Sequence, residues 1–200
     1  MAMSILAVDA AASSLLQCVC TGLSQLPTEV PGLAGCPCRS CVVPGAVAAD
    51  GCDAGCGALA PGEYPGQLTV SVARIYSTDR QSFPREAQTV RDLKDCPMPQ
   101  TTAVELTITL FRCVPGMDDN GCPPTCEQLS ASAMQLHADL LAIQRAVLCC
   151  YAATDTTRPR GRRYVLGQSR VIGPQGDCVG IEQRVTVALD DCLVCPEVAP

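Results

Sequence analysis

Residues 123–150, PPTCEQLSASAMQLHADLLAIQRAVLCC, decide how the rest of the chain is read. Leu129, Ala133, Leu136, Leu140, Ile143 and Val147 recur at alternating steps of four and three. That spacing lines them along one face of an α-helix of roughly seven turns. Pro124 suits the first turn, Thr125 can cap it, and Gln128, three residues on, can reach back to complete a capping box. A helix with one apolar stripe must lay it on something. The other strongly patterned segments are strand-like, so the chain reads as a sheet that receives this helix.

Working outward, AVELTITLF at 103–111 turns Val104, Leu106, Ile108 and Leu110 one way and Glu105, Thr107 and Thr109 the other, as a half-buried strand requires. LTVSVARIY at 68–76 alternates in the same way, with Leu68, Val70 and Val72 on one face. The segment 79–102, with prolines at 84, 97 and 99, is long for a plain connection, and long loops tend to carry function. Beyond the helix, 164–172 and 181–189 read as two further strands joined by the turn Gly173-Pro174-Gln175-Gly176-Asp177. Before the sheet, Val8, Ala12, Leu15, Val19, Leu23 and Leu26 recur with Ile5 at helical spacing, with Ser4 near the helix start. The expected fold is α+β: a small, mostly antiparallel sheet of about four strands packed against one long helix. One domain spans 1–200, with an N-terminal helix at 1–26, a Cys/Gly/Pro-rich looped insertion at 27–66, the sheet-and-helix core at 67–190 and a tail at 191–200. Within the insertion, only Val42 and Val43 suggest a short strand.

The 200 residues suffice for one ordinary hydrophobic core. Aromatic residues make up 3% and Trp is absent, so the core must be built from Val, Leu, Ile and Ala, with little surface for stacking bases or sugars. Fourteen basic against twenty acidic side chains leave a formal charge of −6, which argues against a protein that coats nucleic acid. No uninterrupted apolar run is long enough to span a bilayer. The opening MAMSILAVDAAASSLL lacks an early basic residue and is broken by Asp9, which disfavours a signal peptide. Sixteen cysteines without an export signal fit a chain that folds in a cytoplasm and meets an oxidising medium only after cell lysis.

Several chemistries can be weighed on this sequence. Cys36, Cys38, Cys41, Cys52 and Cys56 could supply the thiolates of a tetrahedral zinc, but their spacing does not form paired C-x2-C knuckles; disulfides and buried thiols remain open for them. Of the adjacent Cys149 and Cys150, one is expected to face the core or to pair with a distant cysteine such as Cys178, leaving the other available. Cys122-x3-Cys126 lies at a helix start, where thiol pKa values fall, but is one residue too long for the redox spacing. His137 is the only histidine; it lies next to the apolar stripe and is expected as a surface or boundary residue. No Ser-His-Asp set can be assembled, Gly-rich 173–180 lacks a dinucleotide fingerprint, and 118–121 lacks the glutamate that completes a calcium loop. Arg158, Arg160, Arg162 and Arg163 form a basic loop that reads as solvated, or as the lining of a channel through which nucleic acid passes. No catalytic, cofactor-binding or metal residue is assigned, and the expected function is not enzymatic.

One resemblance runs through these pieces. Cys41-Val42-Val43-Pro44-Gly45, Asp50-Gly51-Cys52, and the stretch from Gly66-Gln67-Leu68 through Ala73-Arg74-Ile75-Tyr76 all contribute. So do Arg112-Cys113-Val114-Pro115, Asp118-Asp119, Pro123-Pro124-Thr125, Gln128-Leu129 and Gly173-Pro174-Gln175-Gly176-Asp177-Cys178-Val179-Gly180. Together they resemble head-to-tail joining proteins of tailed phages that infect actinobacteria, and within that group the tail terminator family. The resemblance covers most of 1–195 and rests on structural turns; the insertion at 27–66 makes the chain longer than compact terminators. It implies a virion protein at the head-tail junction, assembled in the host cytoplasm. Copies of itself would form its ring, expected to be a hexamer. The other implied partners are the major tail tube protein and the head-to-tail connector or stopper, with a passing contact to DNA in the channel and no membrane or cofactor. A stopper or adaptor of the same neck, or a zinc-binding or disulfide-stabilised interaction module, stands as the alternative.

Overall fold

The computed structural model describes residues 5–47, 64–79, 81–87, 100–117, 120–154, 163–175 and 177–189. In chain order these give α1 (Ile5–Glu29), β1 (Pro37–Val43), β2 (Tyr64–Asp79), β3 (Gln100–Cys113), α2 (Cys126–Arg145), β4 (Tyr164–Gln175) and β5 (Cys178–Leu189). The sheet has five strands in the order β1-β2-β3-β5-β4, antiparallel throughout except that β1 runs parallel to β2. The mixed architecture of helices on a largely antiparallel sheet follows the sequence reading; the strand count does not. The additional strand, β1, lies inside the segment read as looped. Its seven residues include Val42 and Val43 but begin back at Pro37, because backbone pairing to β2 continues through Arg39, Ser40 and Cys41, where no apolar alternation marks it.

Period two turns Leu68 and Val70 of β2, Val104, Leu106, Ile108 and Leu110 of β3, and Ile181, Val185 and Val187 of β5 onto one face, where all are buried. Both helices cover that face. The opening helix supplies the larger share: Ala11, Ala12, Leu15, Val19 and Leu23 are essentially inaccessible to solvent, so α1, at least as much as the long helix, is what the sheet receives. It runs on through Pro27 to Glu29, three residues past the expected end.

In α2 the capping box forms as read: the Gln128 amide N–H donates to Thr125 Oγ1 at 3.3 Å, and the Thr125 N–H donates to Gln128 Oε1 at 2.8 Å. The expected apolar stripe holds only toward the C-terminal end. Ile143 and Val147 are fully buried, Leu136 and Leu140 half-buried, while Leu129 is 49% exposed and Ala133 also faces out. The buried line instead passes through Asp139, Ala142, Ile143, Ala146 and Val147. The last turn loosens into a five-residue π-turn, Ala146–Cys150, and then a 3-10 turn, Tyr151–Thr154.

By length and mean hydropathy alone, Leu6–Glu29 and Cys126–Ala153 are each apolar enough to cross a bilayer. Neither is an uninterrupted apolar run, since Asp9 and Gln17 break the first and His137 and Asp139 the second. In the fold, both lay an apolar face on the sheet, as core helices do.

Two glycines show why turn residues stand where they do. Gly173, at the β4–β5 hairpin, has φ +91°, a left-handed conformation that disfavours a side chain. Gly180 sits opposite Phe111 in the β3–β5 register, and an added Cβ would come within 2.6 Å of the Phe111 ring.

Candidate functional site

Two elements each carry one charged residue where an apolar one is expected, and they meet. Arg112 continues the core-facing series Val104, Leu106, Ile108, Leu110 of β3, and Asp139 lies on the buried line of α2. Arg112 Nε donates to Asp139 Oδ2 at 2.9 Å and Nη2 donates to Asp139 Oδ1 at 2.9 Å, a two-pronged clamp between strand and helix. Nη2 also donates to the Gly35 carbonyl at 2.7 Å, and Gln135 Nε2 donates to Asp139 Oδ1 at 2.9 Å. Gln135 in turn exchanges hydrogen bonds with the Ala34 backbone, accepting from its N–H at 2.7 Å and donating to its carbonyl at 3.2 Å. This network ties the end of β3, the middle of α2 and the segment entering β1 to one point. The Arg112 Nη1 nitrogen is buried with no hydrogen-bond partner. Arg112 is also one of the residues lining a solvent-open groove of about 340 Å³, with Cys113, Pro115, Gln128, Ala131, Ser132 and Gln135.

Neither residue is singled out by sequence reasoning. The signal was present: an Arg at a core-facing strand position and an Asp three residues after Leu136 on the helical stripe are opposite charges that burial forces to pair.

The opposite face of the sheet carries charge in an alternating row. Glu86 lies 3.9 Å from Arg74, Arg74 donates to Glu105 at 2.7 Å, and Arg184 joins Glu105 at 3.3 Å to Glu182 at 3.4 Å. Arg170 closes the row on Glu182 at 2.7 Å. The hydrogen bond to Glu105 raises the Arg74 pKa above its ordinary value. Across the helices, Arg145 pairs with Glu29, whose hydrogen bond raises the Arg145 pKa. A polar group also enters the core face: Gln183, fully buried between Ile181 and Val185, donates to the Gly167 and Arg184 carbonyls at 2.8 Å each and accepts from the Ser169 hydroxyl.

Among the described residues the cysteines do not gather into a metal site. Cys36 is bonded to Cys20, Cys38 is also in a disulfide, and Cys41 is an exposed thiol; Cys52 and Cys56 lie outside the described residues. Among the described residues no group of three or more His, Cys, Asp or Glu side chains is placed to hold a metal ion. Cys150 does take a distant partner, but it is Cys18 of α1 and not Cys178, because the end of α2 packs on α1. Cys178 is instead opposite Cys113 at the end of the β3–β5 pairing. Cys149 is exposed as a thiol, as is Cys126 at the start of α2. Cys18, Cys149 and Cys150 share a depression of about 190 Å³ with Arg145 and Gln25. His137 is exposed. Of the basic loop, only Arg163 is among the described residues, its guanidinium 5.3 Å from the Phe83 ring centre. Arg158, Arg160 and Arg162 lie outside them, as do Asp118 and Asp119 of the turn before α2 and the tail 191–200.

Two outward features complete the surface. Met134, Leu141 and Leu148 stand seven residues apart along the long helix, on its far side from Ile143, and are 53%, 66% and 52% exposed. At the sheet's rim β4 pairs, among the described residues, only with β5, and they leave its other side uncovered over regular pieces around 164–166 and 169–172, with Val171 63% exposed.

No protein-family model matches the chain, and no curated protein matches it.

Proposed function

We propose that the chain is a structural virion subunit of a phage neck, a tail terminator whose copies close into a ring, expected to be a hexamer, that caps the tail tube and joins it to the head connector. The observation that carries this reading is the second apolar strip, Met134 and Leu141 of α2 with Leu148 of the π-turn that continues it, on the side away from the core. A helix that buries one face and leaves a second apolar strip in water presents a surface suited to another chain. The β4 edge, unpaired among the described residues and able to extend the sheet into a neighbour, supports the same reading. So does the resemblance carried by the turns around the long helix and the β4–β5 hairpin. The tube protein and the connector are the further partners, and DNA passing through the ring would meet the loops that face the channel.

The test is to place charge on those two surfaces without touching the core. Leu141→Lys with Val171→Lys should abolish self-association while leaving the melting temperature of the subunit within a few degrees. Self-association that survives both substitutions would remove the surfaces on which the proposal stands.

A second reading, a disulfide-stabilised interaction module with a cellular partner, is favoured by the Cys18–Cys150 and Cys20–Cys36 bonds, which staple α1 to the end of α2 and to the approach to β1. It differs in predicting a monomer that binds a single heterologous partner. A stopper or adaptor of the same neck shares the self-associating surfaces and differs only in its neighbours.

A further inference from the structure

Cys113 and Cys178 are directly opposite each other at the last rung of the β3–β5 ladder, and both are thiols. The backbone fixes which kind of rung this is. The Val114 N–H donates to the Asp177 carbonyl at 2.9 Å, joining the residue after Cys113 to the residue before Cys178. In an antiparallel ladder such a bond flanks a pair that exchanges no hydrogen bonds of its own. Pairs of that kind bring their Cα atoms to about 4.5 Å and their side chains closest together. A disulfide spans Cα separations of about 4.4–6.8 Å, so two cysteines at such a rung can be joined without moving the strands. Both side chains belong to one small apolar cluster, with Phe111 and Ile172, on the face of the sheet turned away from the helices. Their access differs. Cys178 is 3% exposed, whereas Cys113 is half-buried and lines the solvent-open groove beside the start of α2.

We propose that Cys113 and Cys178 are a redox site, which a small dissolved disulfide such as oxidised glutathione closes into a cross-strand bond between β3 and β5. The Cys113 thiolate, the sulfur that a dissolved reagent can reach, attacks one sulfur of the small disulfide. A mixed disulfide forms and the other half leaves as a thiolate. The Cys178 sulfur then attacks the Cys113 sulfur, making the bond within the protein and expelling the second half. The two protons lost by the cysteines end on the two released thiolates. The protein gives up two electrons, and the small disulfide is reduced to two thiols. The new bond ties the residue after Arg112 of the buried clamp to the start of β5, and closes a loop that holds all of α2 and β4. The assignment does not rest on ring formation, since a lone subunit has the same rung.

The experiment equilibrates the full chain in glutathione buffers of rising oxidised share, blocks the remaining thiols with iodoacetamide, and maps linked peptides by mass spectrometry. The expected result is a Cys113–Cys178 linkage that grows with the oxidised share and returns to two thiols when reduced glutathione is restored. Two variants read the order of steps. Cys178→Ala should stop at Cys113 carrying one glutathione, and Cys113→Ser should leave Cys178 unmodified, because the buried sulfur reacts at least about tenfold more slowly than the half-buried one. The wild-type map decides even where a variant fails to fold. Cys113 that takes up glutathione without bonding to Cys178, or that stays a thiol in fully oxidised buffer, would overturn the assignment. So would either cysteine bonding to a different one.

Discussion

Arg112 of β3 and Asp139 of α2 are joined by two parallel hydrogen bonds of 2.9 Å, with 5% and 0% of their side chains exposed. Removing one member strands the other charge in the core, which costs about 3–5 kcal/mol, whereas replacing both with apolar residues of similar size is often neutral. Asp139→Ala should therefore lose about that much in urea unfolding, and Arg112→Met with Asp139→Leu should recover most of it. Equal losses in the single and double variants would mean that the pair itself, and not the stranded charge, carries the energy.

The two placed disulfides close loops of very different size, with sequence separations of 132 and 16 residues. Loop-closure entropy assigns about 5 kcal/mol to a loop of the first kind and about 3 kcal/mol to the second. Cys18→Ser with Cys150→Ser should accordingly lower unfolding stability more than Cys20→Ser with Cys36→Ser, both measured under oxidising conditions. The reverse order would show that residual structure or native strain outweighs chain entropy here.

Gly180 lies against Phe111, and a methyl group there would approach the ring to 2.6 Å and the Leu110 carbonyl oxygen to 2.7 Å. The oxygen belongs to the central strand and cannot swing away. Gly180→Ala should destabilise by about 1–3 kcal/mol in thermal or chemical unfolding, and Gly180→Val by more. A neutral Gly180→Ala would place β5 farther from β3 than the pairing indicates.

Tyr76 donates its hydroxyl to the Pro84 carbonyl at 2.7 Å, tying the turn at 81–87 to β2. Burial raises its pKa above the ordinary value near 10, with Arg74 pulling the other way. A raised pKa means that the folded state favours the neutral phenol. This contribution is complete below about pH 10 and is lost as pH rises through the folded-state value. Wild-type stability should fall more steeply above pH 10 than that of Tyr76→Phe, read by unfolding midpoints across an alkaline series. Superimposable profiles would contradict this.

What could be read in advance followed from pattern length. The capping box and the alternation of β3 are dictated by near neighbours, and both stand where they were expected. β1 was legible only at Val42 and Val43, because its earlier residues are held by backbone pairing to β2, which needs no apolar period. Leu129 and Ala133 were misplaced because periodicity marks a stripe but not how far the sheet extends beneath it. The Arg112–Asp139 clamp joins residues 27 apart in sequence and the Cys18–Cys150 bond residues 132 apart. Such pairings depend on how the helices dock, which spacing does not encode.

The most direct test of the proposed role is the assembly state of the purified full-length chain across a wide concentration range, by sedimentation velocity with negative-stain imaging of the same samples. Closed rings, six copies around, that form as concentration rises are the predicted result. A subunit that remains monomeric at every concentration and also when mixed with tail tube protein would contradict it.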